Sequence, residues 1–396
     1  MLLTETPSSA RAEHASADRQ PRVAEFFAGI GLVRQALEQE GWSVVFANDN
    51  EAFKRELYAA NFPSDDFLLD DIRNIDHTSL PTVDLATASF PCTDLSLAGN
   101  REGLSGTQSG LFWTFAKLLE SMDERRPPLV LLENVPSLGT TAGGRDLRTL
   151  IQTMNEIGYS CDVITLDARY FVPQSRPRLF VIGMASSSDL PRRDFLVNPL
   201  RPPWVLDFTL RNPDLEMHAF PLLPPFLDDG SLDQIVERLD QDDPRWWDTE
   251  RAKKFVSSLS TIQTERLETL RTGDTVSWAT AFRRTRSGRS VWEIRGDSIS
   301  GCLRAARGGS SKQALVEAGL GVIRVRWLTA KEYAALQGAE DYTIPDTVTE
   351  NQALFGFGDA VCVPAVAWII RNYLTPALGS LPSSSERYEL SSAGGS

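Results

Sequence analysis

Cysteine and histidine are scarce in this sequence of 396 residues, which contains four of the first and three of the second. The cysteines, Cys92, Cys161, Cys302 and Cys362, are far apart and form no C-x-x-C pair, and the histidines are scattered. Neither a zinc site nor a disulfide framework is therefore predicted, and we expect no metal cofactor. Reduced thiols are typical of a cytoplasmic protein, which is the location we expect.

Long apolar runs are also lacking. No stretch of the sequence looks long and apolar enough to span a bilayer, and the N-terminus lacks the apolar core of a signal peptide. Hydrophobic residues make up 42% of the chain and charged residues 23%, which is typical of a globular protein without a membrane partner. The length allows two domains, or one large domain with an insertion.

The chain as a whole has no excess of positive charge, and its net charge is −13. That value alone argues against a nucleic-acid partner. The segment from Arg245 to Ala330, however, contains 16 Lys or Arg against 8 Asp or Glu, a local balance of +8, so the remainder carries −21. Such a basic segment either contacts phosphates or is a solvated, charge-rich face, and composition leaves both open.

Short apolar runs alternate with helical patterns from residue 22 to about residue 185. Strands are predicted at 23–27, 44–47, 83–89, 129–132, 161–166 and 178–184, with helices at 32–37, 51–60, 111–122 and 147–157. This alternation predicts an α/β fold with a doubly wound, mostly parallel sheet.

The composition predicts five segments. Residues 1–20 and 378–396 read as disordered tails, 21–185 as the α/β domain, and 186–324, rich in Pro, Trp and Arg, as a smaller irregular domain. Residues 325–377 are expected to return to the first domain. There Thr329 is a predicted N-cap with Glu332 three residues on, and an apolar helix is predicted from Ala360 to Tyr373.

Two reactive side chains follow apolar runs of the α/β region. Cys92 follows Phe90-Pro91 after one run, and Glu133 follows Leu129–Leu132. A thiol and a carboxylate, each at the C-terminal end of a buried strand, are what an enzyme needs to attack a flat, electron-poor ring and protonate it. Taken singly, each feature also has a simpler explanation, namely a chance cysteine and the solvated end of a strand.

A glycine-containing turn, Phe27-Ala28-Gly29-Ile30-Gly31, lies between the first strand and the first helix. Such turns point backbone N–H groups at a ligand, but this one lacks the full G-x-G-x-x-G dinucleotide pattern, so a methionine-bearing nucleoside would fit as well. Asp49 ends the second strand, where it could accept from two ribose hydroxyls, and Asp71 could bind an adenine amino group. Each acid alone is more commonly a surface residue at a strand end.

The sequence resembles the cytosine-5 DNA methyltransferases over residues 22–184 and 325–372, with its motifs in the order found in that family. The resembling segments are FFAGIG at 26–31, Asn48-Asp49, Asp71-Ile72, SFPCTDLS at 89–96, SGLF at 109–112, Glu133-Asn134-Val135, QSRPR at 174–178, RWLTAKEYAALQG at 326–338 and Gly358-Asp359-Ala360-Val361.

The resemblance implies a Rossmann-like methyltransferase core with a target-recognition domain at 186–324, and S-adenosylmethionine as cofactor. The cofactor-binding residues that it implies are Phe27, Gly29, Gly31, Asp49, Asp71, Ile72, Pro91, Leu111, Asp359 and Ala360. It also implies a flipped cytosine, whose extrusion costs on the order of a few kcal/mol. Residues 93–108 would then close over that base, although they also read as an ordinary surface loop.

The catalytic residues implied by the resemblance are Cys92, Glu133, Arg176 and Arg178. Cys92 would attack C6 as a thiolate, because C5 alone is a poor nucleophile. Glu133 is assigned to N3 and Arg178 to O2, where negative charge develops, and Arg176 to support of the loop or to a phosphate. The base that removes the C5 proton is not identified.

The basic segment is the predicted reader of double-stranded DNA. Its candidate contacts, together with one in the cysteine loop, are Ser96, Arg283, Arg284, Arg286, Arg289, Arg304, Arg307 and Lys312. Trp246-Trp247 is interpreted as packing. We expect a monomer, which either acts beside a cognate restriction endonuclease or other defence proteins or is solitary. An RNA (tRNA) cytosine-5 methyltransferase and a catalytically silent DNA-binding module are the alternatives.

Four residues depart from the pattern of the family. Leu32 stands where a third glycine is usual, Thr93 where Gln is more common, Gln108 where Arg is typical, and Asp359 where Asn is usual. None of these changes removes a group that carries chemistry. Asp359 adds a negative charge near a cationic sulfonium, which electrostatics tolerates.

Overall fold

The computed structural model describes residues 19–91, 110–185, 196–228, 230–286, 288–305 and 312–381. These residues form one seven-stranded sheet and one four-stranded sheet. Cys92, Thr93, Ser96, Gln108 and Arg307 lie outside the described residues, as do the two predicted tails apart from a few residues at their inner ends.

The larger sheet is mostly parallel, as predicted, and has the strand order β3-β2-β1-β4-β5-β7-β6. Only β7 runs antiparallel to its two neighbours. The carboxyl ends of the parallel strands therefore meet at one edge, where ligands bind in such sheets. The strands are β1 Arg22–Phe26, β2 Ser43–Asp49, β3 Phe67–Leu69, β4 Leu85–Ala88, β5 Leu129–Asn134, β6 Tyr159–Asp167 and β7 Pro177–Ala185.

Helices cover this sheet, and the longer ones bury residues at helical spacing. In α5 the buried residues are Leu147, Leu150, Ile151 and Met154, which recur every three or four positions. The helices of this part are α1 Leu32–Gln39, α2 Ala52–Ala59, α3 Leu111–Ser121, α4 Ser137–Thr140 and α5 Arg145–Glu156.

The smaller sheet is antiparallel with the order β11-β10-β8-β9, and it is more regular than the sequence pattern indicated. Trp247 packs against Phe255, Trp292 and Trp327 with ring centroids 5.0 to 5.9 Å apart. This part contains α7 Thr249–Ser257, α8 Thr261–Arg271, β8 Ser277–Arg286, β9 Arg289–Ile294, β10 Ala314–Gly319 and β11 Val322–Trp327.

Residues 199–220, which the sequence assigned to the second domain, pack against the larger sheet. The Thr165 N–H of β6 donates to the Leu200 carbonyl over 2.7 Å, and Arg201 pairs with buried Asp162 of the same strand. Helix α6, Pro203–Arg211, buries Val205 and Phe208 in the same core as β5 and α5. The smaller sheet therefore begins well after residue 186.

The C-terminal helices return to the larger sheet, and α11 packs against α1. Thr329 and Glu332 form the predicted capping box at the start of α9. The helices are α9 Ala330–Leu336, α10 Glu350–Asp359, α11 Val363–Ile369 and α12 Thr375–Ser380, and the predicted Ala360–Tyr373 helix lies mainly in α11 and the turn after it.

One helical stretch corrects our expectation about membrane spans. By length and composition alone, the residues from Glu350 to Ser380 could cross a membrane. However, 72% of their most apolar window is buried inside the protein, and Ile369, Ile370 and Tyr373 are fully buried in the core. A buried helix of this kind is typical of a protein core, so its composition is weak evidence for a span.

Candidate active site

The turn after β1 is tied to the end of β2 by Asp49. The Gly29 N–H donates to one Asp49 carboxylate oxygen over 2.9 Å, and the Glu51 N–H donates to the other over 3.0 Å. Gly31 has φ +82°, and an added Cβ would lie 2.6 Å from the ring of Phe62, so only glycine fits there. Asp49 thus fixes a glycine turn at the carboxyl edge of the sheet, where each carboxylate oxygen keeps a lone pair for a ligand.

Phe27, which precedes this turn, has φ +57° although it is not glycine. Such a backbone conformation costs on the order of 1 to 3 kcal/mol and is concentrated at functional sites. Pro91 and Leu111 are half-buried, and Ile72 is buried.

Asp71 has a partner that the sequence analysis missed. Both of its carboxylate oxygens accept from the Arg73 side chain, over 2.8 and 2.6 Å. These hydrogen bonds hold the pKa of Asp71 below its ordinary value. An adenine amino group would therefore share Asp71 with Arg73.

Asp359 at the end of α10 pairs with Lys54 of α2. The Lys54 Nζ lies 2.8 Å from an Asp359 oxygen and 3.9 Å from an Asp49 oxygen. Burial by itself would lower the pKa of Lys54, but Asp359 and Asp49 raise it above the ordinary value, so Lys54 is a cation. The extra negative charge that Asp359 introduces is therefore compensated within the protein.

The ends of β4 and β5 are adjacent, with Ala88 opposite Leu132. The Asn134 side-chain amide donates to the Phe90 carbonyl over 3.3 Å. This bond holds the chain that leads into Cys92 beside Glu133. The two strand ends that the sequence singled out are therefore neighbours, although the thiol itself is not described.

Glu133 forms an ion pair with Arg178 of β7, whose Nε lies 2.8 Å from the carboxylate. Both side chains are mostly buried, with 13% and 15% exposure. Burial raises the pKa of Glu133 above its ordinary value, although Arg178 and Arg176 oppose the rise. A carboxyl group with a raised pKa can be an acid, and the paired guanidinium can stabilise a nearby oxyanion.

Arg176 is buried and connects three segments. Its guanidinium donates to the Leu303 carbonyl over 2.7 Å, to the Gly358 carbonyl over 3.2 Å, and to the carbonyl of Ala360. Of the two roles suggested for Arg176, support of the loop or contact with a phosphate, its burial argues against contact with a phosphate. Gln174 of the same motif also holds this junction, since it donates to Leu336 and accepts from Leu303.

Cys302 is a neighbour of the Glu133–Arg178 pair that sequence reasoning missed as a site residue. Its sulfur lies 3.4 Å from an Arg176 nitrogen and 3.9 Å from two Arg178 nitrogens. Burial opposes ionisation of the Cys302 thiol, but the two guanidiniums lower its pKa below the ordinary value. Its position within an Arg- and Gly-rich segment gave no signal of this contact.

The predicted DNA-contacting residues that the structure describes lie in two places, whereas Ser96 and Arg307 lie outside the described residues. On the hairpin of β8 and β9, Arg284 and Arg286 pair with Glu293 over 3.3 and 2.8 Å, and Arg283 stacks on Trp292. The Arg289 side chain is not described. The second place borders α10. Exposed Arg304 lies before residues 306–311, which are not described, and Lys312 lies directly after them. The Lys312 side chain contacts Asn351 of α10.

Several known proteins resemble this chain. It is 34% identical to Type II methyltransferase M.NgoBI of Neisseria gonorrhoeae, over 41% of this chain and 50% of that protein. It is 32% identical to Type II methyltransferase M.HhaI of Haemophilus parahaemolyticus, over 41% of this chain and 48% of that protein. The matches therefore span about half the length of these relatives.

Solved structures share the fold. EhMeth of Entamoeba histolytica aligns with a TM-score of 0.58 and 13% identity over 91% of this chain and 98% of that one. The Dnmt2 methyltransferase of S. pombe aligns with a TM-score of 0.56 and 16% identity over 90% of this chain and 99% of that one. The C-5 cytosine-specific DNA methylase family matches residues 21–375. Because this match covers most of the chain, the protein belongs to the C-5 cytosine-specific DNA methylase family.

Proposed function

We propose that this protein is a sequence-specific DNA methyltransferase that transfers a methyl group from S-adenosylmethionine to C5 of a flipped cytosine. The observation that carries the proposal is the mostly buried Glu133–Arg178 pair, held beside the Phe90-Pro91 segment that leads into Cys92. Family membership and the Type II methyltransferase names of the relatives support it.

The residues around the first turn fit the cofactor. Asp49 offers two acceptor oxygens for ribose hydroxyls, and the turn at Gly29 points backbone groups toward the same edge of the sheet. When bound, S-adenosylmethionine supplies a methyl group on a sulfonium. The residues of this chain would bind and orient it.

The base would be activated by three residues. The Cys92 thiolate forms a bond to C6 while Glu133 donates a proton to N3 and Arg178 stabilises O2. As C5 takes the methyl group, the bond between the methyl carbon and the sulfonium sulfur breaks. A base then removes the C5 proton, and the bond between C6 and the Cys92 sulfur breaks. The N3 proton returns to Glu133, so that the thiolate and the acid are both restored.

Residues of the smaller sheet and of the segment from Arg304 to Lys312 are the proposed DNA contacts. Arg284 and Arg286 are exposed, and each can exchange its half-buried partner Glu293 for a phosphate or a guanine edge at small cost, because ion pairs at the surface contribute about 0 to 1 kcal/mol. A cognate restriction endonuclease, a monomeric state and a cytoplasmic location stay predictions.

The proposal is tested by expression in a methylation-free bacterial host, followed by bisulfite conversion and sequencing of both DNA and RNA. We expect protected cytosines in one short DNA motif, and none with Cys92→Ala. Protection only in RNA would replace DNA by RNA as the substrate. Absence of protection, from a purified protein that binds S-adenosylmethionine, would contradict the proposal.

A further inference from the structure

Lys54 is a buried cation between two acids of the proposed cofactor cleft. It is 7% exposed, whereas the side chain of its closer partner Asp359 is 50% exposed. The two residues are 305 positions apart in the chain, so the pair joins α2 to the end of α10. The same ammonium lies 3.9 Å from Asp49, whose carboxylate anchors the Gly29 turn.

A buried ammonium is costly unless it is paired, and Lys54 has two carboxylate neighbours and the ring of Phe355 within 5.9 Å. The closer partner of Lys54 is also a departure from the family pattern, because Asp359 stands where Asn is usual. The three groups Lys54, Asp49 and Asp359 carry a net charge of −1. Without Lys54 the net charge would be −2, and with Asn at position 359 it would be zero.

We propose that Lys54 and Asp359 are specificity-determining residues that set the charge of the cofactor cleft, and so its preference for a sulfonium ligand over the neutral thioether product. This inference rests on the proposed function, because it takes the cleft at Asp49 as the cofactor site. S-adenosylmethionine carries one more positive charge than S-adenosylhomocysteine, and the two ligands are otherwise alike except for one methyl group.

The comparison of these ligands isolates the charge of the cleft. A change that merely loosens the cleft weakens both ligands alike, because they share the nucleoside and the amino-acid end. A change of charge alters mainly the dissociation constant of S-adenosylmethionine, because Coulomb attraction acts on the additional charge of this ligand. The ratio of the two dissociation constants therefore changes. In a partly solvated cleft, one unit of protein charge is expected to change this ratio about threefold or more.

The test is isothermal titration of both ligands, without DNA, into wild type, Lys54→Met, Asp359→Asn and the double variant. Relative to wild type, we expect the preference for S-adenosylmethionine to rise about threefold in Lys54→Met and to fall about threefold in Asp359→Asn. The double variant, whose net charge equals that of wild type, should return to the wild-type preference. Lys253→Met is the matched control, because Lys253 forms an exposed pair with Glu250 on α7.

Each outcome decides between the two proposals. If wild type binds neither ligand, the proposed function fails. If wild type binds both, but Asp359→Asn keeps the wild-type preference, the inference about charge is overturned and the proposed function stands. Asp359→Asn decides the matter even if Lys54→Met does not fold, since Asp359 is half-exposed and Asn is the usual residue there.

Discussion

At the scale of residues, the site depends on charged side chains that are paired across separate parts of the chain. Glu133 and Arg178 were indicated by their motifs, and the structure places them 2.8 Å apart. Lys54 and Cys302 had no signal of their own, because their contacts with Asp359 and Arg176 join residues far apart in the chain. A pattern along the sequence does not report such long-range electrostatic partners.

Glu133→Gln tests the proton that the mechanism requires. Glutamine keeps the shape of the side chain but transfers no proton to N3, so we expect the single-turnover rate of methyl transfer to fall about 10²- to 10⁴-fold. Because burial raises the pKa of Glu133, the wild-type rate should fall as pH rises through that pKa, as the acid form is lost. The variant should lack this dependence, and a variant as fast as wild type would exclude Glu133 as the acid.

At the scale of elements, most strands and helices of the larger sheet follow from the alternation of apolar runs and helical stripes. β1, β5 and α5 lie within two residues of their predicted bounds. β3, of only three residues, was missed because so short a run has no periodicity. The strands of the smaller sheet were missed because charged residues interrupt their apolar positions.

The contact between α10 and the segment after Cys302 predicts an effect at Gly358. A Cβ there would lie 2.3 Å from the Arg304 carbonyl oxygen and 2.7 Å from the Ala305 nitrogen, which are backbone atoms. Gly358→Ala should therefore destabilise the protein by about 1 to 3 kcal/mol in urea unfolding, despite the higher helix propensity of alanine.

Gly379→Ala is the matched control, because a Cβ at that position of α12 meets nothing within 4 Å. This variant should be as stable as wild type or more stable by about 1 kcal/mol. If the two variants have the same free energy of unfolding, the close approach at Gly358 does not constrain the fold.

At the scale of the whole molecule, the two-part organisation was visible from composition, but the packing of residues 199–220 was not. Those residues join the larger sheet through backbone bonds to β6 and through Arg201, which pairs with buried Asp162. The prolines of this segment indicated irregular structure. They do not indicate which of the two sheets an irregular segment packs against.

Global stability should depend on pH through Glu25, which is buried in the middle of β1. Burial raises the pKa of Glu25 to about 8, against the opposing effect of Arg34. The folded state therefore binds a proton that the unfolded state releases near pH 4.5. The contribution of Glu25 to the unfolding free energy is thus fully present below that pH and is lost, by on the order of a few kcal/mol, as pH rises toward 8.

Glu25→Gln removes this titration. Compared with wild type, the variant should lose less stability between pH 5 and pH 8.5, as measured by urea unfolding at each pH. Glu120→Gln, at an exposed position of α3, is the control and should follow wild type. Parallel pH profiles of wild type and Glu25→Gln would contradict the raised pKa.

The covalent step is the central claim, and one measurement tests it most directly. A duplex with 5-fluorocytosine at the protected position is incubated with the protein and S-adenosylmethionine, and the adduct is digested and sequenced by mass spectrometry. Fluorine at C5 prevents the loss of a proton that frees the enzyme, so we predict a stable bond between Cys92 and C6. A wild-type protein that methylates the ordinary duplex but forms no adduct, or an adduct at another residue, would contradict the account.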